Sequence, residues 1–243
     1  MNILSIGNSF SEDATRYLHN IARADGEDYH TVNLYVGGCS LEMHNDNIVP
    51  NAKVYEWQEN GDTGNKYVSI RDALQAHEWD IVTVQQVSHL SFNLDSYFPY
   101  VVNLINYIKK YAPNAKVYLH QTWAYEKESD RLINIAGYNT PEKMLDDIIK
   151  VNDTVARNIG AEGIIRSGEL FELLRKSGYE KLYRDTFHAS LGVGRYALAL
   201  LWYCTISGKK ANKNLICDFD EPVEQENIQK IINTVNSITI KHN

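Results

Sequence analysis

Three short stretches of the chain carry residue types that acyl-transfer chemistry uses. Near the N-terminus, Ile3-Leu4-Ser5-Ile6 runs into Gly7-Asn8-Ser9-Phe10-Ser11-Glu12. A serine at a strand–turn–helix junction can be a nucleophile, because a helix N-terminus offers N–H groups and a dipole that favours developing negative charge. It can equally be a helix cap, since Ser9-x-x-Glu12 fits a capping box. The candidate base is His188, preceded three residues earlier by Asp185. That spacing lets the carboxylate reach Nδ1, fix the tautomer and stabilise the imidazolium, leaving Nε2 to take the serine proton. An isolated DxxH is common in surface loops, so the pair gains meaning only from what would bring it to Ser9.

The oxyanion of acyl transfer needs preorganised donors. The amides of Ser9 and of Gly38, in the Gly37-Gly38-Cys39-Ser40 turn, are two candidates. The third stretch, Gln85-Gln86-Val87-Ser88-His89, offers a side-chain amide from Gln86 or Gln85. Alternation sends one glutamine toward a cleft and the other away, and a purely structural amide network is the alternative. Asn8, Ser88, Trp123 and Tyr125 are the candidate substrate-binding residues, the two aromatics as platforms for a sugar ring or else as core lids.

These residues have to be positioned by a sheet. An apolar strand over 2–6, a helix from Ser9 to about Asp25, and a strand Thr31 to Val36 open the chain. Lys53 to Val68 alternates weakly around Asn60-Gly61 and reads as a hairpin-like insertion. A helix around Ser69–Ala76 precedes a strand over 80–84. The following helix places Phe98, Val101, Val102, Ile105 and Ile108 on one face. A strand from Lys116 to Leu119, a helix from Pro141 to Asn158, and a short strand over Gly163–Ile165 come next. A short helix Glu169 to Arg175, a buried helix from about Ser190 and a last amphipathic helix with Ile228, Ile231, Ile232, Val235 and Ile238 complete the pattern. Strands alternating with helices imply a parallel sheet covered on both faces, in a single domain over 1–243. In such sheets ligands bind outside the carboxyl ends of the strands, where Asn8, Ser9, Gly38, Gln85, Gln86, Ser88, Trp123 and Tyr125 fall, while Asp185 and His188 lie in a loop leading to the buried helix.

Composition sets outer bounds. The 243 residues are 44% hydrophobic and 23% charged, as in an ordinary globular protein. A formal charge of -7, with no run of Lys and Arg, argues against nucleic acid as partner. Cys39, Cys204 and Cys217 lack CxxC or metal-ligand spacing and read as three thiols. Cys39 beside Gly38 reads as a small packing residue rather than a reactive one. His30, His44, His89 and His120 show no ligand spacing, so neither a metal nor a cofactor is expected. The longest apolar stretch, Leu191 to Ile206, contains Arg195 and reads as a buried helix rather than a membrane span. No signal peptide is visible, which suggests a cytoplasmic location; a chain whose signal had been removed would read the same way, as periplasmic or secreted. The sequence leaves the oligomeric state open.

With Gly7-Asn8-Ser9-Phe10-Ser11, Gly37-Gly38 and Asp185-Thr186-Phe187-His188 in this order, the chain resembles the SGNH/GDSL hydrolase superfamily of serine esterases and lipases over nearly its whole length. Its GNSFS opening and QQxS segment are similar to a bacterial branch of that superfamily. The resemblance implies a three-layer α/β/α sandwich, flavodoxin-like, with about five parallel strands. It also implies Ser9 as nucleophile, His188 as base, Asp185 as orienter and Gly38 as oxyanion donor. The third block departs from the superfamily's usual Gly-x-Asn-Asp. A related branch that includes sialic-acid and xylan acetylesterases carries a glutamine near that point, so Gln86 or Gln85 becomes the substitute and acetylated sugars the favoured substrates. The expectation is a serine ester hydrolase that removes a small acyl group from a small-molecule or carbohydrate ester. The alternative is a carbohydrate-binding protein that keeps the fold with impaired chemistry, and a third reading is a structural partner protein.

Overall fold

The computed structural model describes residues 1–179, 181–214 and 216–242. In chain order its elements are β1 (Asn2–Gly7), α1 (Ser9–Thr15), α2 (Leu18–Ala24), β2 (His30–Tyr35), α3 (Leu41–Ile48), β3 (Tyr55–Glu59) and β4 (Tyr67–Val68). Then follow α4 (Ile70–Leu74), β5 (Ile81–Val84), α5 (Tyr100–Tyr111), β6 (Lys116–His120) and α6 (Pro141–Ile159). β7 (Gly163–Ile165), α7 (Ser167–Lys176), α8 (Val193–Ser207) and α9 (Gln225–His242) end the chain.

The sheet has the order β4-β3-β2-β1-β5-β6-β7. Five strands, β2 to β7 through the central β1, run parallel. β3 and β4 add antiparallel to the edge at β2, so the sheet has seven strands rather than about five. The segment read as a hairpin-like insertion is therefore part of the sheet. Asn60 and Gly61 turn it with φ of +53° and +88°, conformations that Asn tolerates and Gly adopts without steric cost.

β1 is apolar without alternation because both its faces are covered. Ile3 faces one core with Phe10, Ile21, Tyr196 and Leu200, while Leu4 and Ile6 face the other with Val82, Val84, Val101 and Leu104. α1, α2, α7, α8 and α9 pack on the first side and α4 and α5 on the second, which makes a three-layer α/β/α sandwich. α8 is buried along nearly its whole length from Tyr196 to Cys204. Among the described residues no helix is long and apolar enough to cross a membrane.

Local departures from the predicted elements have tertiary causes. The helix expected to run from Ser9 to about Asp25 is broken at Arg16 and Tyr17. There Arg16 pairs with Asp220 and the Tyr17 hydroxyl donates to Leu191 O and accepts from Asp220 N–H, both at 2.7 Å. Val102 lies outside the buried face of α5, which consists of Val101, Leu104, Ile105 and Ile108; the helical turn of about 100° per residue separates Val101 from its neighbour. α3 was not predicted. Only Leu41 and His44 of it are buried, so its apolar periodicity is weak although Ser40 caps it by accepting from Met43 N–H.

Candidate active site

The carboxyl ends of β1, β2 and β5 converge on a cleft of about 390 Å³. Ser9, Gly38, Ser88, His89, Arg131 and His188 line it, with Asn8, Phe10, Tyr35, Gly37, Val87 and Phe187. A larger concavity of about 600 Å³ lies at the opposite end of the strands, around Met1, Trp79, Asp80 and Lys116. The hydrogen-bonded Ser9 and His188 lie in the smaller one.

Ser9 is not the cap of α1. Asn8 takes that role: its Oδ1 accepts from Phe10 N–H at 3.0 Å, and its own N–H donates to Ser11 Oγ at 3.0 Å. Glu12, the other half of the expected box, instead accepts from Gln58 Nε2. Burial raises the Glu12 carboxyl pKa, and the Gln58 hydrogen bond opposes that shift only in part. Gly7 is required by close approach, since a Cβ there would stand 2.3 Å from Ser11 Oγ. With capping delegated to Asn8, the Ser9 hydroxyl is left at the first helical position and facing the cleft.

There Ser9 Oγ lies 2.8 Å from His188 Nε2, and His188 Nδ1 lies 2.7 Å from Asp185 Oδ2. Asp185 Oδ1 also accepts from the His188 backbone N–H at 2.8 Å. Partial burial works to raise the Asp185 carboxyl, but hydrogen bonds from the His188 ring, the His188 backbone and Phe187 N–H outweigh it and hold the pKa below the ordinary value. A charged carboxylate on Nδ1 fixes the tautomer in which Nε2 can accept a proton from Ser9.

The loop bearing this pair is held from below. Arg184 N–H donates to His188 O, Glu126 N–H to Thr186 O, and Trp123 Nε1 to Phe187 O at 2.7 Å. Thr186 sits at φ +73°, an uncommon conformation for a β-branched residue that the surrounding bonds maintain. Beneath the loop lies Asp13, wholly buried in α1. It accepts from Arg184 Nη1, from Arg195 Nε at 2.8 Å and from Ala189 N–H at 3.1 Å. Asp13, Arg184 and Arg195 escaped the sequence reading. A charged residue on the apolar side of a helical pattern was the one available signal.

Two N–H groups stand free beside the serine. Among the described residues neither Ser9 N–H nor Gly38 N–H has a protein partner. Gly38 has φ +65°, which turns its peptide in a way that a side chain would resist.

The glutamines do not join them. Gln85 Nε2 donates to Asn8 Oδ1 at 2.7 Å and its Oε1 lies 2.7 Å from His120 Nδ1, whose other nitrogen meets Ser167 Oγ. Burial pushes the His120 pKa down to about 3, so the ring is neutral and Nδ1 is the donor to Gln85. Gln86 Oε1 accepts from Leu41 N–H at 3.0 Å and Val87 N–H at 2.8 Å, while Nε2 donates to Ser96. Both are buried and neither lines the cleft. The expected side-chain oxyanion donor from Gln86 or Gln85 is therefore corrected to a positioning role: one orders Asn8, the other the turn that carries Gly38.

Trp123 and Tyr125 are corrected likewise. Both are fully buried. Trp123 stacks between Phe10 at 4.0 Å and Phe171 at 4.7 Å, and the Tyr125 hydroxyl meets Ser88 Oγ at 2.9 Å. They are the floor of the site rather than a surface for a sugar. Ser88 and Asn8 line the cleft, but the side-chain amide of Asn8 is committed to Phe10, Gln85 and Cys39. Cys39 is buried against His44, and burial pushes its thiol up to about 12.

This fold is that of the SGNH hydrolases. Residues 2–231 match the family described as domain of unknown function (DUF4886), and the chain belongs to that family. It is similar to the crystal structure of a DUF4886 family protein from Bacteroides uniformis, with 30% identity, a TM-score of 0.90, and 99% of this chain and 95% of that one covered. A Slackia heliotrinireducens protein assigned to the SGNH hydrolases has a TM-score of 0.62 at 21% identity, over 85% of this chain and 98% of that one. Axe2, an acetylxylan esterase from Geobacillus stearothermophilus, has a TM-score of 0.53 at 14% identity, over 82% and 90%. These last two likenesses are of fold. Among curated proteins none matches the sequence.

Proposed function

We propose that this chain is a serine ester hydrolase that removes a small acyl group, with an acetylated carbohydrate as the favoured kind of substrate. The observation that carries the reading is the continuous hydrogen-bonded chain from Ser9 Oγ through His188 to Asp185, at 2.8 and 2.7 Å, on the floor of an open cleft. Ser9 Oγ attacks the ester carbonyl as its proton passes to His188 Nε2, and Asp185 stabilises the resulting imidazolium. The oxyanion forms beside the unpartnered N–H groups of Ser9 and Gly38, where the helix dipole adds to their effect. Collapse expels the alcohol, which takes the proton from His188 and leaves an acyl-Ser9. Water, deprotonated by the same imidazole, then releases the acid and restores the serine.

The acetyl preference is supported by the small cleft and by the fold shared with an acetylxylan esterase. A fluorophosphonate probe tests the nucleophile. Labelling of the native protein that disappears in Ser9→Ala, with parallel loss of short-chain aryl acetate cleavage, is the expected result. Ser9→Ala protein that cleaves at the parent rate would refute the reading. The lack of a side-chain oxyanion donor from the third block favours the second reading, a sugar-binding protein with impaired chemistry, if the native protein is not labelled and binds sugar.

A further inference from the structure

The cleft beside Ser9 has one-sided charge. Among the described residues no aspartate or glutamate lines it, although the chain carries 31 acidic residues against 24 basic ones. Its one Lys or Arg side chain is Arg131, at the start of the π-helical turn Arg131–Ile135. The guanidinium carbon lies 3.6 Å from the centroid of the Phe187 ring, and that ring lies 3.8 Å from the His188 imidazole. Arg131, Phe187 and His188 thus follow one another in contact along one wall.

Arg184 and Arg195 are paired with Asp13 and Arg16 with Asp220, whereas Arg131 makes no ion pair among the described residues. Contact with the aromatic face and a hydrogen bond to the Tyr125 hydroxyl hold the guanidinium, and its remaining edge N–H groups can meet a planar, two-point acceptor. A carboxylate has that shape. A single cation suits a monoanion, and the neighbouring His89 adds no second charge, because burial and the charge of Arg131 hold it toward its neutral form.

We infer that Arg131 is the anion-recognising residue of the Ser9 cleft, and that the ester cleaved there carries a carboxylate on the same molecule. This rests on the ester-hydrolase reading and names its substrate class.

Matched probes are 4-acetoxybenzoate and 4-acetoxybenzamide, which share shape and differ in charge. The parent protein should prefer the benzoate in kcat/KM. Arg131→Gln should lower that preference on the order of tenfold or more, the scale of one charge-assisted pair, while Arg131→Lys keeps part of it. Added salt should erode the preference in the parent. Calorimetric binding of the same two compounds to Ser9→Ala protein, with and without Arg131→Gln, gives a readout independent of turnover, and a melting curve for each variant confirms folding. Equal binding of the two compounds, or a benzoate preference that survives Arg131→Gln, overturns the inference. Benzoate binding that depends on Arg131 in a protein that cleaves neither ester upholds the anion site and overturns the hydrolase reading instead.

Discussion

Asp13, wholly buried in α1, accepts two hydrogen bonds from Arg184 Nη1, at 2.8 and 3.0 Å, one residue ahead of Asp185. The helix that presents Ser9 and the loop that presents His188 are therefore joined by a buried ion pair, and Arg195 of α8 extends it through Asp13 to Asp220. This connection ties the backbone that carries Ser9 to the backbone that carries His188.

Removing the anion should test that tie. Asp13→Asn leaves the partly buried Arg184 guanidinium without its countercharge, while Arg195 keeps only Asp220, and breaking such a pair from one side costs about 3 kcal/mol. Denaturant unfolding should show a loss of that order, together with loss of aryl acetate cleavage at temperatures where the variant is still folded. A variant of parental stability and activity would show that the loop is held by its other bonds.

The division of labour between Asn8 and Ser9 gives opposite expectations for neighbouring residues. Ser9→Ala removes no capping bond and should change stability by less than about 0.5 kcal/mol, the usual range for positions without a structural role. Asn8→Ala removes the cap of α1 and strands the Gln85 amide and the Cys39 carbonyl, so a cost of about 2 kcal/mol is expected. Thermal melting of the two variants side by side checks the ordering. The reverse ordering would restore Ser9 as the cap.

Legibility from sequence followed the range of the interactions. The parallel core strands were readable because burial on both faces leaves nearly continuous apolar runs, such as Ile81–Val84 with Thr83 as its one polar residue. Ser9 at a strand–helix junction and Asp185 three residues before His188 were readable as candidates, but their meeting, 179 residues apart, depends on the fold. The orientation of Gln85 and Gln86 was not, because it depends on Asn8, His120, Leu41 and Ser96, each remote in sequence from one glutamine or the other. Trp123 looked like a platform because a strand end faces the cleft in general. In this chain Phe10, Phe171 and the Phe187 carbonyl enclose it. The partners of Asp13 were hidden for the same reason, since they lie at 184, 189 and 195.

The Asp185 carboxyl should leave a signature in acid. Its folded-state pKa lies below the ordinary 3.8, so the folded protein holds its charged form more strongly than the unfolded chain does. A depressed carboxyl contributes stability that is fully present above the unfolded value and is lost as pH falls through the folded one. Asp185→Asn should therefore be less stable than the parent at neutral pH, and the gap should close as pH drops below about 3.8. Melting temperatures of both proteins across that range provide the check. A gap that widens toward acid would mean the carboxyl is raised rather than lowered.

Gln86 separates a positioning role from an oxyanion donor. A donor at the rim of a cleft can be removed with little effect on stability, while kcat falls by roughly 10²–10³. In this chain Gln86 instead satisfies the buried N–H groups of Leu41 and Val87 and the part-buried carbonyl of Ser96. Gln86→Met keeps the volume and leaves those three groups without a partner, at a cost of about 3 kcal/mol. Because the Leu41 contact anchors the end of the Gly37–Ser40 turn, Gly38 N–H should lose its fixed direction. Activity should then fall through both KM and kcat. Unfolding curves and steady-state kinetics on the same preparation distinguish the two roles: unchanged stability with kcat alone reduced would return Gln86 to the cleft.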